Sequence, residues 1–203
     1  MRNDFSCPMR AFLAIELYDK NRDLLYKQKK PVRSFLYNWT KALYGLSYGN
    51  ANSQVAMLKD TGGTDRAYPN LYSTDKPIFK FTSGETDNRY GIVVGSGTTA
   101  VTLDDYNLAS KIAHGTGAGQ LYYYETNTRH YTDSDRSYFE VYRLLLNKSD
   151  SNVTVSEVGL AFETRDASGG YYRFLILRDL VDPAVTVEPA QTLQVRYIFE
   201  FLL

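Results

Sequence analysis

Residues 192–201 read TLQVRYIFEF, and this stretch decides the fold class. Large apolar side chains occupy every second position from Leu193 to Phe201, and most of the residues between them are polar. A period of two is the pattern of a β-strand that buries one face and exposes the other. Because this alternation is the most regular in the chain, we expect the last strand to be central to the fold.

Several segments further upstream have strand-like patterns. They are residues 11–18, 24–26, 91–95, 120–126, 138–146, 153–163 and 171–180. The last two are joined by residues 165–170, which read RDASGG and are typical of a hairpin turn. We therefore predict a mainly β protein, built as an antiparallel β-sandwich or a jelly-roll-like module.

The segment 153–163 contains an irregularity. Its apolar side chains fall on one parity up to Val155 and on the other parity from Val158 onward. One inserted residue near Ser156 and Glu157, a β-bulge, would return both halves to a single buried face. A strand that changes sheets at this point, as at the corner of a sandwich, would also produce the pattern.

The N-terminal part of the chain changes period. A predicted hairpin with a turn at residues 19–23 is followed by apolar side chains at spacings of four, four and three: Phe35, Trp39, Leu43 and Leu46. This spacing predicts one amphipathic helix over residues 33–48. Asp104 is placed to cap a second, brief helix.

The length of 203 residues permits one domain or two small ones. We predict a single β-rich domain over residues 1–203. Within it, residues 1–48 form the hairpin and helix, which pack on the sandwich or reach a neighbouring chain. Residues 49–90 have little pattern and form long loops or an arm that contacts a neighbour. Residues 91–203 form the sandwich core.

Composition restricts the class of partner. Lys and Arg number 23 and Asp and Glu also number 23, so the formal net charge is zero. This balance lacks the basic excess of a protein that coats nucleic acid, and we expect no nucleic-acid partner. The single cysteine, Cys7, cannot form an intrachain disulfide and suits assembly inside a cell. No apolar run approaches the roughly 20 residues that span a bilayer, so we expect no membrane segment.

One local cluster of charge departs from this balance. Residues 27–33 carry four positive charges in seven residues. Such a basic patch can contact phosphate or an acidic partner. Lysines also protect an exposed edge strand from pairing with another edge, and this is the interpretation that we favour.

The motifs that resemble catalytic or cofactor sites are incomplete. Residues 95–100 fit G-x-G-x-x-A, but the β-prone residues 101–103 follow where a dinucleotide site needs a helix, so a glycine turn is the better interpretation. Residues 114–120 lack the Gly-Lys-Ser/Thr of a phosphate loop and indicate a mobile or interface loop. The only histidines, His114 and His130, have no zinc-ligand spacing. We therefore expect no catalytic residues, no cofactor and no metal.

The aromatic content points to contacts instead. Tyr numbers 18, Phe 10 and Trp 1, which is 14% of the chain. Tyr is enriched at protein interfaces because it buries area, loses little entropy and keeps a polar tip. Tyr122, Tyr123 and Tyr124 place rings on both faces of one strand, and with Gly117 and Gly119 they are our candidate interface. The same ring density could stack sugars.

Six segments taken together resemble a family of structural proteins from tailed bacteriophages and related prophage regions. They are residues 91–101, 104–109, 112–121, 155–160, 177–181 and 191–197. The resemblance extends over about residues 91–200. It implies a virion component without enzymatic activity, and it supplies no functional residues. It does not fix a position at the capsid surface, the collar or the tail.

The residues and the resemblance together give one expectation and one alternative. We expect a non-enzymatic virion structural protein of a tailed bacteriophage, which assembles in the host cytoplasm and binds copies of itself and other virion proteins. A ring or trimer in the particle would suit this role. The alternative is a receptor- or glycan-binding β module at a tail fibre or spike.

Overall fold

The computed structural model describes residues 9–48, 56–67, 79–165 and 170–202. Within these ranges the chain forms ten strands and one helix. They are β1 (Met9–Tyr18), β2 (Leu24–Pro31), α1 (Tyr37–Tyr48), β3 (Met57–Lys59), β4 (Asp65–Ala67), β5 (Gly91–Gly95), β6 (Tyr122–Thr132), β7 (Arg136–Leu146), β8 (Val153–Arg165), β9 (Tyr171–Val187) and β10 (Thr192–Leu202). The predicted mainly β class is confirmed.

The last strand lies at the centre of a five-stranded antiparallel sheet with the order β2-β1-β10-β7-β6. On β10, Tyr197 pairs with Leu13 of β1 on one side and with Val141 of β7 on the other. The N-terminal hairpin is therefore part of this sheet, because the apolar face of β1 continues the apolar face of β10. The sequence pattern predicted that the sandwich starts at residue 91, but β1 and β2 already belong to it.

A second antiparallel sheet, with the order β5-β8-β9, packs against the first. Buried apolar side chains from both sheets form one core, with Leu13 and Tyr197 on the large sheet and Val158 and Leu160 on the small sheet. Two sheets that share one core define the predicted sandwich. The five-plus-three arrangement leaves the jelly-roll alternative unconfirmed.

The irregularity predicted in residues 153–163 is present. Between Val155 and Glu157, β8 advances by two residues while its partner on β9 moves from Val185 to Leu180. The excess residues therefore lie on β9, opposite Ser156, rather than on β8. The apolar side chains of β8 on both sides of this point are buried in the same core, so the strand does not change sheets.

Helix α1 begins later than the pattern predicts. Phe35 lies in the predicted first turn, but it forms an isolated β-bridge with Leu177, so this part of the chain is extended. Trp39 packs against Phe199, with 6.3 Å between ring centroids, whereas Leu43 is 43% exposed. The brief helix predicted at Asp104 does not form, because residues 96–110 run as turns and loops across the small sheet.

The described parts of residues 49–90 fold back on their own chain. Leu58 of the β3–β4 hairpin is fully buried, and the backbone N–H of Thr61 donates to the carbonyl of Arg173 at 2.9 Å. Lys80 forms a β-bridge with Glu163. The expectation that this stretch also contacts a neighbouring chain stays a prediction, and residues 49–55 and 68–78 lie outside the described ranges.

Candidate interaction surface

A buried carboxylate on β8 organises the loop that follows β5. Glu157 is fully buried. Its Oε1 accepts hydrogen bonds from the backbone N–H of Gly97 at 3.1 Å and of Ser110 at 2.7 Å. Its Oε2 accepts from the N–H of Ala109 at 3.1 Å and from Nε of Arg178 at 2.8 Å. Both oxygens are therefore satisfied, and residues 96–110 are held against the outer side of the small sheet.

This arrangement explains the glycine motif at residues 95–100. A Cβ atom on Gly95 or Gly97 would lie only 2.5 Å or 2.4 Å from Glu157 Oε1. The glycines therefore permit a close approach of the backbone to a carboxylate, in agreement with the interpretation as a glycine turn. Arg178 also pairs with Asp105 at 2.6 Å. Burial alone would raise the pKa of Asp105, but hydrogen bonds from Arg178 and Thr102 outweigh it and lower that pKa.

The loop that contains Gly117 and Gly119 is closed by its own residues. The N–H of Gly117 donates to Gln120 Oε1 at 3.0 Å. Gly119 has φ +72°, which is left-handed backbone that favours glycine. His114 is tied to the neighbouring strand, because its Nδ1 accepts a hydrogen bond from the N–H of Tyr123 at 3.2 Å. The imidazole therefore fixes the loop to β6.

The three consecutive tyrosines separate into core and surface. Tyr123 is fully buried, and its hydroxyl donates to the carbonyl of Ile112 at 2.8 Å. Burial raises the pKa of this hydroxyl. The guanidinium carbon of Arg143 lies 4.7 Å from the ring centroid, and burial lowers the pKa of Arg143 to about 10. Tyr123 is therefore a core residue that cannot contact a partner, and the predicted interface is wrong at this position.

Tyr122 and Tyr124 lie on the opposite side of β6. Their ring centroids are 5.3 Å apart, and Nζ of Lys148 lies 3.2 Å from the centroid of Tyr122. The Tyr122 hydroxyl donates to Glu85 Oε1 at 2.7 Å, and this hydrogen bond raises the pKa of Tyr122. His114 completes the cluster, with its ring 4.9 Å from that of Tyr122. The cluster is one end of a larger surface.

That surface is the side of the five-stranded sheet that faces away from the core, which we call the outer sheet face. No helix or strand of the described chain packs over it. The alternation of the strands places aromatic and aliphatic side chains there: Phe12, Tyr122, Tyr131, Tyr138, Tyr142, Leu144 and Ile198. Two of them are well exposed, Tyr131 at 47% and Leu144 at 37%, and the others are partly exposed. An open face with this content is typical of an interaction surface.

A ladder of ion pairs crosses all five strands of the outer sheet face, with one residue from each strand. In the order of the strands, Lys27 pairs with Glu16 at 2.9 Å and Glu16 with Arg196 at 3.0 Å. Arg196 pairs with Glu140 at 3.7 Å, and Glu140 with Arg129 at 3.3 Å. Burial alone would raise the pKa of Glu16, but Lys27 and Arg196 help to outweigh it and lower that pKa. The ladder therefore alternates positive and negative charge across the sheet.

Cations also lie over the aromatic rings of this face. From the charged group to the ring centroid, the distances are 4.3 Å for Lys29 on Phe12, 5.2 Å for Arg129 on Tyr142, 5.4 Å for Arg136 on Tyr138 and 3.2 Å for Lys148 on Tyr122. A cation within about 6 Å of a ring centroid is attracted to the ring face. Rings and cations are therefore neighbours over much of this surface.

The sequence interpretation missed this surface apart from Tyr122 and Tyr124. The ladder joins Glu16 to Arg196, which are far apart in sequence and meet only because β1 pairs with β10. One local signal was available, since Lys27 and Lys29 lie in the basic stretch that was interpreted as edge protection. They do lie on the edge strand β2, and they also contribute to the outer sheet face.

A metal site is absent from the described residues 9–48, 56–67, 79–165 and 170–202. These ranges hold no group of three or more His, Cys, Asp or Glu side chains that could bind a metal ion. His114 and His130 lie on different elements, and His130 is exposed on β6 beside Thr132 and Ser137. Among the described segments, no helix has the length and apolar character needed to cross a membrane.

Comparisons with known proteins add no relative. A scan against protein-family models found no match, and neither did searches of the curated proteins and of the solved structures.

Proposed function

We propose that this chain is a non-enzymatic structural protein of a tailed-bacteriophage virion, and that it assembles through protein–protein contacts at the outer sheet face. The observation that carries the proposal is the face itself. It is an open five-stranded surface on which partly exposed tyrosines lie beside exposed arginines such as Arg129 and Arg136. Tyr and Arg are enriched at the centres of protein interfaces, where they contribute most of the binding energy.

The size of the face suits a specific contact. Strands of about ten residues at roughly 3.3 Å per residue, spaced roughly 4.8 Å apart, give five strands a flat area of roughly 800 Å². A standard protein interface buries about 800 Å² on each partner. The outer sheet face is therefore large enough to hold one partner protein without help from another surface.

The virion setting rests on the sequence resemblance over about residues 91–200. On this proposal the chain assembles in the host cytoplasm and takes its place in the head, collar or tail. Its partners are other virion proteins and copies of itself. Assembly by surface burial needs no covalent link, since apolar contact contributes roughly 25 cal/mol per Å².

Two measurements test the proposal. Peptide mass spectrometry of gradient-purified particles should detect the chain in amounts comparable with other virion proteins, and its absence would contradict the proposal. Leu144→Glu places a charge on the outer sheet face and should reduce incorporation into particles by roughly tenfold. Leu103→Glu is the matched control, because Leu103 is 52% exposed but lies on the loop that crosses the small sheet. Equal incorporation of both variants would exclude the outer sheet face as the contact.

A second candidate function is favoured by the cluster at Tyr122 and Tyr124. These neighbouring, partly exposed rings could stack a sugar, as a receptor- or glycan-binding module would require. Binding to a defined glycan array that is lost in Tyr124→Ala would support this function. An array without binding, together with particles that contain the chain, would reject it.

A further inference from the structure

The cations at both ends of the ion ladder on the outer sheet face are open to solvent, although the chain as a whole has no net charge. In these two end pairs of the ladder the cation is exposed and the acid is covered. The side chain of Lys27 is 59% exposed and that of Glu16 is 7% exposed. The corresponding values are 61% for Arg129 and 5% for Glu140. A partner that approaches the ladder therefore meets ammonium and guanidinium groups first, whereas the exposed acids Glu85 and Glu125 lie near Tyr122 and Tyr124.

The same cations limit which anionic partner fits. Rings that bind single-stranded nucleic acid offer free faces on which bases stack. Here Lys29 lies over the ring of Phe12, and Arg129 over that of Tyr142. A base would have to displace these side chains, whereas a carboxylate can pair with them where they lie. The geometry favours an acidic polypeptide over a nucleic acid.

We propose that the outer sheet face binds an acidic segment of another protein, with carboxylates paired to Lys29 and Arg129 and apolar side chains packed between the rings. This inference rests on the proposed function and names the chemistry of the partner. It also assigns to the basic residues of β2 a binding role in addition to edge protection. The zero net charge of the sequence gives no sign of these cations, because a sum over the chain does not record where the charges lie.

Binding of this kind depends on salt. Dissolved salt screens the attraction between exposed charges. The Debye length, which sets the range of that attraction, is about 10 Å at 0.1 M salt and shortens as salt is added. Charge complementarity across an interface also sets the rate of association and the choice of partner. We therefore expect affinity to fall as salt is added, with a residual part from apolar contact.

The test uses the full chain and labelled poly-L-glutamate of about 20 residues as the probe, followed by fluorescence anisotropy. We expect saturable binding that weakens roughly tenfold between about 50 mM and about 300 mM NaCl. The double variant Lys29→Glu, Arg129→Glu should weaken binding at low salt by at least roughly tenfold. The matched control Lys41→Glu, Lys111→Glu reverses two exposed cations on α1 and beside β5, and it should stay within about twofold of the parent. Thermal unfolding of each variant confirms that it is folded.

Three results would overturn the inference. One is no binding of poly-L-glutamate at low salt, and another is equal weakening in the test and control variants. The third is tighter binding of an oligo-dT of the same charge, which would assign the face to nucleic acid. If the chain is present in purified particles while any of these results is found, the inference fails and the proposed function stands. If the chain is absent from particles, the proposed function itself fails.

Discussion

At the scale of single residues, Glu157 is fully buried and both of its carboxylate oxygens are satisfied. They accept hydrogen bonds from the backbone N–H groups of Gly97, Ala109 and Ser110 and from the side chain of Arg178. An amide in its place would point an N–H₂ group at two donors in either orientation. A buried carboxylate with this set of partners fixes the loop after β5 in one conformation.

We predict that Glu157→Gln lowers the free energy of unfolding by about 3–5 kcal/mol. The amide N–H₂ group would face two donors, and the buried Arg178 would keep only Asp105 of its two charged partners. Urea denaturation of the parent and the variant measures the loss. Glu125→Gln is the control, since Glu125 is exposed on β6 and its replacement should change stability by less than about 0.5 kcal/mol. A loss below about 1 kcal/mol at Glu157 would show that the network is not structural.

A second prediction concerns Asp179, which is 5% exposed and accepts a hydrogen bond from the hydroxyl of Tyr197 at 3.2 Å. Burial raises the pKa of Asp179, although Lys30 opposes the shift. The stabilising contribution of this group is complete below the ordinary aspartate pKa of about 3.9 and is lost as pH rises through the higher folded-state pKa. Asp179→Asn does not titrate, so its stability relative to the parent should increase between about pH 4 and about pH 7.

Urea unfolding of both proteins at the two pH values tests this prediction. Carboxylates with lowered pKa, such as Asp60 and Asp105, lose their contribution as pH falls, but they do so in both proteins and cancel in the difference. A difference that is constant or shrinks with rising pH would mean that Asp179 is charged at little cost.

The two candidate glycines should respond differently to substitution. Gly119→Val forces a β-branched residue into left-handed backbone at a cost of about 1–2 kcal/mol. A Cβ atom on Gly117 would lie 3.1 Å from Gln120 Oε1, the end of a flexible side chain that can move. Gly117→Val should therefore cost less, and thermal unfolding should rank Gly119→Val as the less stable protein. The reverse order would mean that contact with Gln120, rather than backbone conformation, controls the loop.

At the scale of elements, β10 is the central strand of the large sheet. Phe199 is 1% exposed and stacks on Phe139 of β7 with 4.6 Å between ring centroids. We predict that Phe199→Ala destabilises the protein by about 3–5 kcal/mol through the lost contacts and the cavity. Phe201→Ala on the same strand is the control, because Phe201 is 39% exposed and should cost less than about 1 kcal/mol. Similar denaturation midpoints for the two variants would place β10 at the periphery.

The elements with strong local periodicity could be predicted from sequence. The alternation of β10 identified a strand with a buried face. The change of parity near Ser156 identified the position of the irregularity in the β8–β9 pairing, although not that the excess residues lie on β9. The start of α1 could not be predicted, because Phe35 is drawn into a bridge with Leu177, which is distant in sequence. Asp104 has the side chain of a helix cap, but the residues after it form a loop in which the N–H groups of Ala109 and Ser110 donate to Glu157.

The candidate interaction surface was harder to predict from the sequence than the fold. Three adjacent tyrosines predict only that their rings alternate between the two faces of a strand. Which ring is buried depends on how β6 pairs with β7, and the sequence does not give this pairing. The ion ladder needs the order of five strands, which local patterns do not determine. Charge was summed over the chain, and a sum carries no information about its distribution on the surface.

At the scale of the whole molecule, the two sheets of the sandwich differ in what covers them. The outer side of the small sheet is covered by residues 96–110, which Glu157 and Arg178 hold in place. The outer sheet face of the large sheet has no such cover among the described residues. A sandwich that is closed on one side and open on the other is suited to contact a partner through one face.

The most direct test of this account is a reconstruction of the particle that contains the chain, at a resolution that traces its strands. We predict that another protein covers the outer sheet face and that acidic side chains lie against Lys29 and Arg129. Particles in which Tyr142, Leu144 and Ile198 face solvent while the chain is held through the small sheet would contradict the central claim.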